Sequence, residues 1–237
     1  MTRPEAPPRP RLELPSPPRL APPEGFAARL EAVGARIDAA AFEVLGDYLA
    51  RLLAMNDQLN LTSIVDPTEA WERHILDALT LMPLIADLPP GAQVVDVGSG
   101  GGVPGIPIAI AAPHLEVTLI ESTQKKAAFL RDVCDAIGLT RVRVLADRSE
   151  QVASGPLGGT FDAVTARAVA RTEALVALTA PLAKRGGILL LIKGQRADEE
   201  LAAAARAMKR YGVVHRTTLA TPTGRVIVLE RSAGAGR

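Results

Sequence analysis

The stretch VVDVGSGGGVPGIPIAI, Val94–Ile110, constrains this chain more than any other part of it. A strand-like apolar run enters five glycines and leaves as an apolar, helix-like segment. Glycines let the backbone take positive φ and approach a partner closely. Loops of this kind hold nucleotide-like ligands in many proteins, so the question is which ligand and for what reaction.

From residue 91 onward, strand-like and helix-like runs alternate. Val94–Val97, Val117–Ile120, Val142–Ala146, Asp162–Ala166 and Ile188–Ile192 read as strands. Between them lie segments such as TQKKAAFLRDVCDAIG, with Phe129, Leu130, Val133 and Ile137 facing inward. Alternation of this sort predicts a parallel sheet with helices on both faces. The end differs: VVHRTTLATPTGRVIVLER is two β-rich runs around Thr221-Pro222-Thr223-Gly224. So short a turn joins only antiparallel strands. The expected fold is α/β and Rossmann-like: a mainly parallel seven-stranded sheet with an antiparallel terminal hairpin. That ending suits the class I S-adenosylmethionine-dependent methyltransferase fold better than a nicotinamide-binding one.

The first 90 residues are organised differently. Residues 1–24 hold nine of the 19 prolines. Proline blocks helix interiors and cannot donate to a sheet, so this reads as a disordered or extended tail, with a polyproline peptide ligand as the alternative. Residues 25–90 read as a helical segment, with apolar residues recurring about every 3.6 positions. Asp38 is placed to cap the helix carrying Phe42, Leu45, Leu49 and Leu52, and Asp66-Pro67 to open another. The Rossmann-like domain is then 91–237.

Composition narrows the class. No apolar run reaches the roughly 18 residues of a membrane helix, and the N-terminus lacks the apolar core of a signal peptide. One cysteine and three histidines predict neither a disulfide nor a metal cluster. The chain reads as soluble, cytoplasmic and monomeric, with no membrane partner. Residues 25–90 carry four Arg and ten Asp/Glu, whereas 91–237 carry 19 Lys/Arg and 13 Asp/Glu. The acidic helical segment argues against phosphate contact over most of its surface, while the basic remainder suits an anionic substrate or simply a solvated surface.

Register decides how the glycine loop reads. Gly100 to Gly105 matches the dinucleotide pattern GxGxxG, but a run of glycines satisfies many patterns. The first glycine should close the strand, and Gly98 does so directly after Asp96-Val97. Counted from there the loop is Gly98, Gly100, Gly102, with Val103 where a third dinucleotide glycine would fall. The second strand ends in Ile120-Glu121, 23 residues after Gly98. A carboxylate there can accept from both ribose hydroxyls, which serves NAD and S-adenosylmethionine alike; the plainer reading is an acid favoured by a helix N-terminus. Asp147, Ser149 and Glu150 follow the third strand, where they would face an adenine or cap a short helix.

Reactions in open α/β sheets occur at the carboxyl ends of the strands. Arg167, after the fourth strand, is well placed there for a carboxylate or phosphate. Lys193, after the fifth, meets RNA phosphate or simply marks the strand's exit. His74 and Asp77 lie three apart on one helical face. They are read as a hydrogen-bonded pair that fixes the helix, in preference to a contact across to the active-site loop. Asn60 and Thr62 read equally well as turn and cap residues.

Together these residues resemble one family, the small-subunit ribosomal RNA methyltransferase G family, also called glucose-inhibited division protein B. The resemblance spans roughly residues 42 to 232. It rests on NLTSI at Asn60–Ile64, RHILDAL at Arg73–Leu79, DVGSGGGVPGIPIAI at Asp96–Ile110, KKAAFL at Lys125–Leu130, RAVA at Arg167–Ala170 and LLLIKG at Leu189–Gly194. It implies N7 methylation of one guanine in a decoding-region loop of bacterial 16S rRNA, on the RNA or the 30S subunit, with S-adenosyl-L-methionine as cofactor. The donor contacts it implies are Gly98 and Val103, Glu121, Ser122 and Thr123, Ser149 and Glu150, and Arg167. Many relatives carry Phe or Leu where this chain has Val103. The alternatives are a nicotinamide oxidoreductase and a non-catalytic RNA-associated protein.

Overall fold

The computed structural model describes residues 12–167 and 170–233. The sheet runs in the order β3-β2-β1-β4-β5-β7-β6. Its strands are β1 (Gln93–Val97), β2 (Glu116–Ile120), β3 (Val142–Leu145), β4 (Phe161–Arg167), β5 (Ala183–Lys193), β6 (Val213–Ala220) and β7 (Arg225–Arg231). The first five pair in parallel, and β7 and β6 close the sheet as an antiparallel hairpin on β5. Each of the five expected parallel strands is present, with ends shifted by a few residues.

Alternating side chains split the interior into two layers. Val94, Val117, Leu119 and Leu190 join one core, while Val95, Val97, Ile120, Leu189 and Leu191 join the other. This is the period-two consequence of strands covered on both faces. On the first face lie α6 (Gly105–Ala111) and α7 (Gln124–Ala136), and on the second α9 (Thr172–Thr179) and α11 (Ala205–Tyr211).

The N-terminal helices add to the first core. They are α1 (Phe26–Ala32), α2 (Ala39–Leu59), α3 (Pro67–Ala70), α4 (Asp77–Leu79) and α5 (Met82–Ile85), with a π-helical turn at Trp71–Leu76 joining α3 to α4. Asp38 caps α2 by accepting from Ala41 N at 2.8 Å, and Asp66 caps α3 by accepting from Glu69 N at 2.8 Å. Leu45, Leu49, Leu52, Trp71, Ile75 and Leu79 are continuous with Val94, Ile106 and Phe129 in one buried cluster. This helical segment is therefore packed onto the sheet layer.

Residues 12–24 run as an extended strap along the helical segment, while residues 1–11 lie outside the described part. Leu20 N donates to Gly46 O at 3.2 Å, Leu12 N to Asp132 Oδ2 at 2.7 Å, and Arg51 Nη1 to Pro15 O at 3.2 Å. A Cβ on Gly46 would stand 2.3 Å from the Leu20 carbonyl oxygen, so the strap fits only because α2 has a glycine there. Proline's pre-set φ favours the extended path, and α2 supplies the hydrogen-bond partners. Among the described residues, no helix is long and apolar enough to cross a membrane.

Candidate active site

Strand register assembles the site. Val97 pairs with Ile120 on one side and with Ala166 on the other. The next residues along each strand, Gly98, Glu121 and Arg167, therefore emerge side by side at the carboxyl edge. The chain order reverses between β1 and β4, which makes this the crevice where open α/β sheets bind ligands. Arg167 pairs with Ile192, bringing Lys193 to the same edge.

The glycine loop turns there. Gly98, Gly100 and Gly102 have φ of 70°, 55° and 104°, the left-handed region that favours glycine. A Cβ on Gly100 would meet nothing closer than Gly98 O at 3.9 Å, so this part of the loop is open to a ligand. Gly101, Gly102 and Gly105 answer to packing instead. Side chains there would stand 2.7 Å from Leu52, 2.5 Å from Ile106 and 2.3 Å from Leu119.

Glu121 is buried, and its carboxylate ties the loop to β2. Oε2 accepts from Gly100 N at 2.9 Å and Oε1 from Thr123 N at 2.7 Å. Each oxygen keeps a lone pair for a further donor. A recess of about 210 Å³ runs from Gly98 past Ser122 to Arg148, Ser149 and Glu150. Ser149 is buried and donates to Glu150 Oε2 at 3.3 Å. It opens α8 (Ser149–Ser154) without side-chain capping.

On the other side of Gly98 lies a pocket of about 720 Å³. Thr62, Arg73, His74, Val103, Arg167 and Lys193 line it. Gly98 belongs to both walls, so recess and pocket meet at the glycine loop. A larger cavity of about 1040 Å³ lies past β3 and adjoins the recess at Asp147. We assign the site to the smaller pair because the strand ends and the buried polar groups converge on them.

Within the pocket, Arg167 reaches into the N-terminal segment. Its Nη2 donates to His74 Nδ1 at 3.1 Å, and Nη1 donates to the Arg73 carbonyl. His74 Nε2 lies 2.9 Å from Thr62 Oγ1. Since Nδ1 must accept from a guanidinium, the proton sits on Nε2 and Thr62 accepts. Burial and then the neighbouring Arg167 lower the His74 pKa to about 4. This corrects the reading of His74 and Asp77 as a bonded pair, because His74 bonds Arg167 at the end of β4 and Thr62. Asp77 instead faces Arg73, with Oδ2 3.8 Å from its Nε, and burial pushes its carboxyl up to about 6 against the pull of Arg167 and Arg73. The π-helical winding of Trp71–Leu76 takes these side chains off the spacing of an ordinary helical face, and such turns recur at functional sites.

Two further contacts hold the helical segment to the glycine loop and to α7. Buried Tyr48 donates to Gly101 O at 2.8 Å, and Lys126 Nζ donates to Asn60 O at 3.0 Å. Asn60 ends α2 in the left-handed region, and Thr62 N donates to Asn56 Oδ1 at 2.8 Å. Asn60 and Thr62 are thus cap and turn residues, with Thr62 also bonding His74. Tyr48 was not singled out by the sequence, where it is one more large residue on the inward face of α2.

Lys193 is not free for RNA phosphate. Its side chain is 8% exposed, and Nζ bonds Glu200 Oε2 at 2.7 Å and Ala170 O at 2.7 Å. Glu200, in α10 (Ala197–Ala203), also accepts from Thr172 N and Oγ1. Asp96, beneath the loop, accepts from Thr165 Oγ1 at 3.0 Å, and burial raises its carboxyl to about 6.

Comparison with known proteins agrees with this geometry. A structure of an S-adenosylmethionine-dependent methyltransferase from Aquifex aeolicus superposes with a TM-score of 0.55 at 15% identity, covering 73% of this chain and 97% of that one. That likeness is one of fold: a mostly parallel seven-stranded Rossmann-like sheet with an antiparallel terminal hairpin. The ribosomal RNA small subunit methyltransferase G of Sorangium cellulosum is 56% identical over 221 residues, 93% of this chain and 92% of that protein. The protein of the same name from Trichormus variabilis is 39% identical over 166 residues, 68% of each chain. Residues 41–228 match the family described as rRNA small subunit methyltransferase G. With four-fifths of the chain inside that match and more than half its residues shared with one relative, the chain belongs to the rRNA small subunit methyltransferase G family.

Proposed function

We propose that this chain transfers a methyl group from S-adenosyl-L-methionine to N7 of one guanine in the decoding-region loop of bacterial 16S rRNA, acting as a cytoplasmic monomer on the RNA or the 30S subunit. The observation that carries the reading is the junction at Gly98. A recess edged by Ser122, Ser149 and Glu150 meets a polar pocket edged by Val103, His74 and Arg167. The residues fit the donor. Gly100 leaves the backbone open, Glu121 has lone pairs for a ribose, and Arg167 keeps donors for a carboxylate. Family membership supports this reading over a nicotinamide oxidoreductase or a non-catalytic binder.

The donor, when bound, supplies an already activated sulfonium methyl. Guanine N7 carries a free lone pair, so no proton has to leave before attack and no general base is needed. The chain's chemistry agrees with that economy. His74 is neutral, its Nδ1 engaged by Arg167 and its Nε2 proton given to Thr62, so it holds the guanidinium in place. Positioning of the two reactants by the Gly98–Val103 wall and by Arg167 then supplies most of the acceleration. The test is incubation of the purified chain with labelled donor and 30S subunits, followed by mapping of N7-methylguanine. Label at a single guanine is expected, and absence of label in RNA overturns the reading.

A further inference from the structure

A groove outside the pocket has a charge pattern that the site chemistry does not use. It holds about 530 Å³ between α9 and α11, and Arg171, Arg206, Arg210 and Tyr211 line it together with Glu173. Ala174 and Ala177 of α9 also line it, and these small side chains leave room for a strand. Arg171, Arg206 and Arg210 are exposed, and among the described residues none of them forms an ion pair. The charged lining is thus three arginines against one carboxylate.

Some exposed arginines elsewhere are paired with acids, and others, such as Arg143, Arg148, Arg185 and Arg196, form no ion pair among the described residues. Arg19 pairs with Glu43, Arg141 with Glu116 and Arg216 with Glu230. What sets Arg171, Arg206 and Arg210 apart is that three unpaired guanidiniums from adjoining helices converge on one groove. Arg206 and Arg210 are four apart on α11, so they project from one face about 6 Å apart. Arg210 also lies over the Tyr211 ring, 5.5 Å from its centroid, which fixes its direction. Arg171 is the N-cap residue of α9, close after the end of β4. The groove therefore begins at the sheet edge that holds the active-site pocket and runs away from it. Guanidiniums bind phosphate oxygens through paired hydrogen bonds, and a row of them follows a backbone without reading bases.

We propose that this groove is a phosphate track for the RNA segment flanking the target nucleotide. The proposal rests on the reading of the chain as an rRNA methyltransferase. The track adds affinity that is independent of base sequence and holds the RNA at a distance from the reacting atoms. Chemistry at saturating RNA is left unchanged.

The test uses the full chain with Arg206→Glu plus Arg210→Glu, and separately Arg171→Ala on the other helix. Methyl transfer is measured against concentration of a 16S rRNA transcript and of 30S subunits at several salt concentrations. For the double variant we expect KM for RNA to rise at least tenfold with kcat within twofold of wild type. The slope of log affinity against log salt should shrink by about 1.4, as for two lost phosphate contacts of a single strand. Methyl-donor affinity by calorimetry should not move. An unchanged KM and salt slope overturns the track while wild-type methylation leaves the methyltransferase reading standing. Absence of wild-type methylation sinks that reading itself. A defect on 30S subunits with none on naked RNA overturns the track in favour of a ribosomal-protein contact.

Discussion

Arg167 donates through Nη2 to Nδ1 of His74 across 3.1 Å, joining residues 93 positions apart. The bond links the carboxyl end of β4 to the helical segment before the sheet, and it fixes the histidine tautomer. Thr62 completes the row by accepting from Nε2. The N-terminal segment is therefore part of the active-site wall, and its acidic surface does not bear on that role.

The tautomer makes the first prediction. His74 should titrate near 4, because burial and the adjacent guanidinium both oppose its charge. As pH falls through that value, Nδ1 gains a proton and can no longer accept from Arg167. His74 thus favours the folded state above the ordinary histidine pKa of about 6.5, and that stability is lost as pH falls through about 4. Imidazole NMR on wild type and Arg167→Met should show the midpoint rising in the variant while staying below 6.5. Equal midpoints would mean that the bond does not form in solution.

Thr62 should matter for rate through the orientation of Arg167. Thr62→Val removes the acceptor for His74 Nε2 and for Ile64 N, which lies 3.0 Å away. A small misplacement of the guanidinium should lower kcat/KM about tenfold. Thr62→Ser keeps the hydroxyl and should restore the rate to near wild type. A valine variant as active as wild type would exclude this positioning role.

Much of the site is legible in the sequence because strand ends are. Short apolar runs located β1, β2 and β4, and parallel pairing then forces Gly98, Glu121 and Arg167 onto one edge. The misread residues depend on long-range contacts. His74 was matched to Asp77 by ordinary helical spacing, but residues 71–76 are wound as a π-helix and Arg167 arrives from 93 residues away. Lys193 reads as free because Glu200, which neutralises it, belongs to the next helix. The strap at 12–24 is polar and proline-rich like a disordered tail. Its order comes from a groove on α2 that composition does not describe.

Glu121 should govern donor binding. Glu121→Gln keeps the size but leaves a single good acceptor for Gly100 N and Thr123 N, and removes the charge that suits a pair of ribose hydroxyls. Donor Kd by calorimetry should rise at least tenfold, about 1.4 kcal/mol. RNA affinity should stay the same, since the carboxylate faces the loop. Unaltered donor affinity would remove Glu121 from the binding site.

Gly46→Ala sets two opposing effects against each other. Alanine in the middle of α2 gains about 1 kcal/mol of helix propensity over glycine. Its Cβ would stand 2.3 Å from the carbonyl oxygen of Leu20, a backbone atom that cannot turn aside as a side-chain end can. Forcing such an overlap costs typically about 1–3 kcal/mol, so the strap should lift off α2 before the helix deforms. Lifting it breaks the Leu20 N to Gly46 O bond and frees Arg19 from Glu43. The released strap is open to protease, and trypsin cleavage after Arg19 should accelerate at least tenfold. Urea unfolding should move by less than about 1 kcal/mol, because the helix gain offsets the lost strap contacts. Cleavage at the wild-type rate would mean that residues 12–24 are already detached in solution.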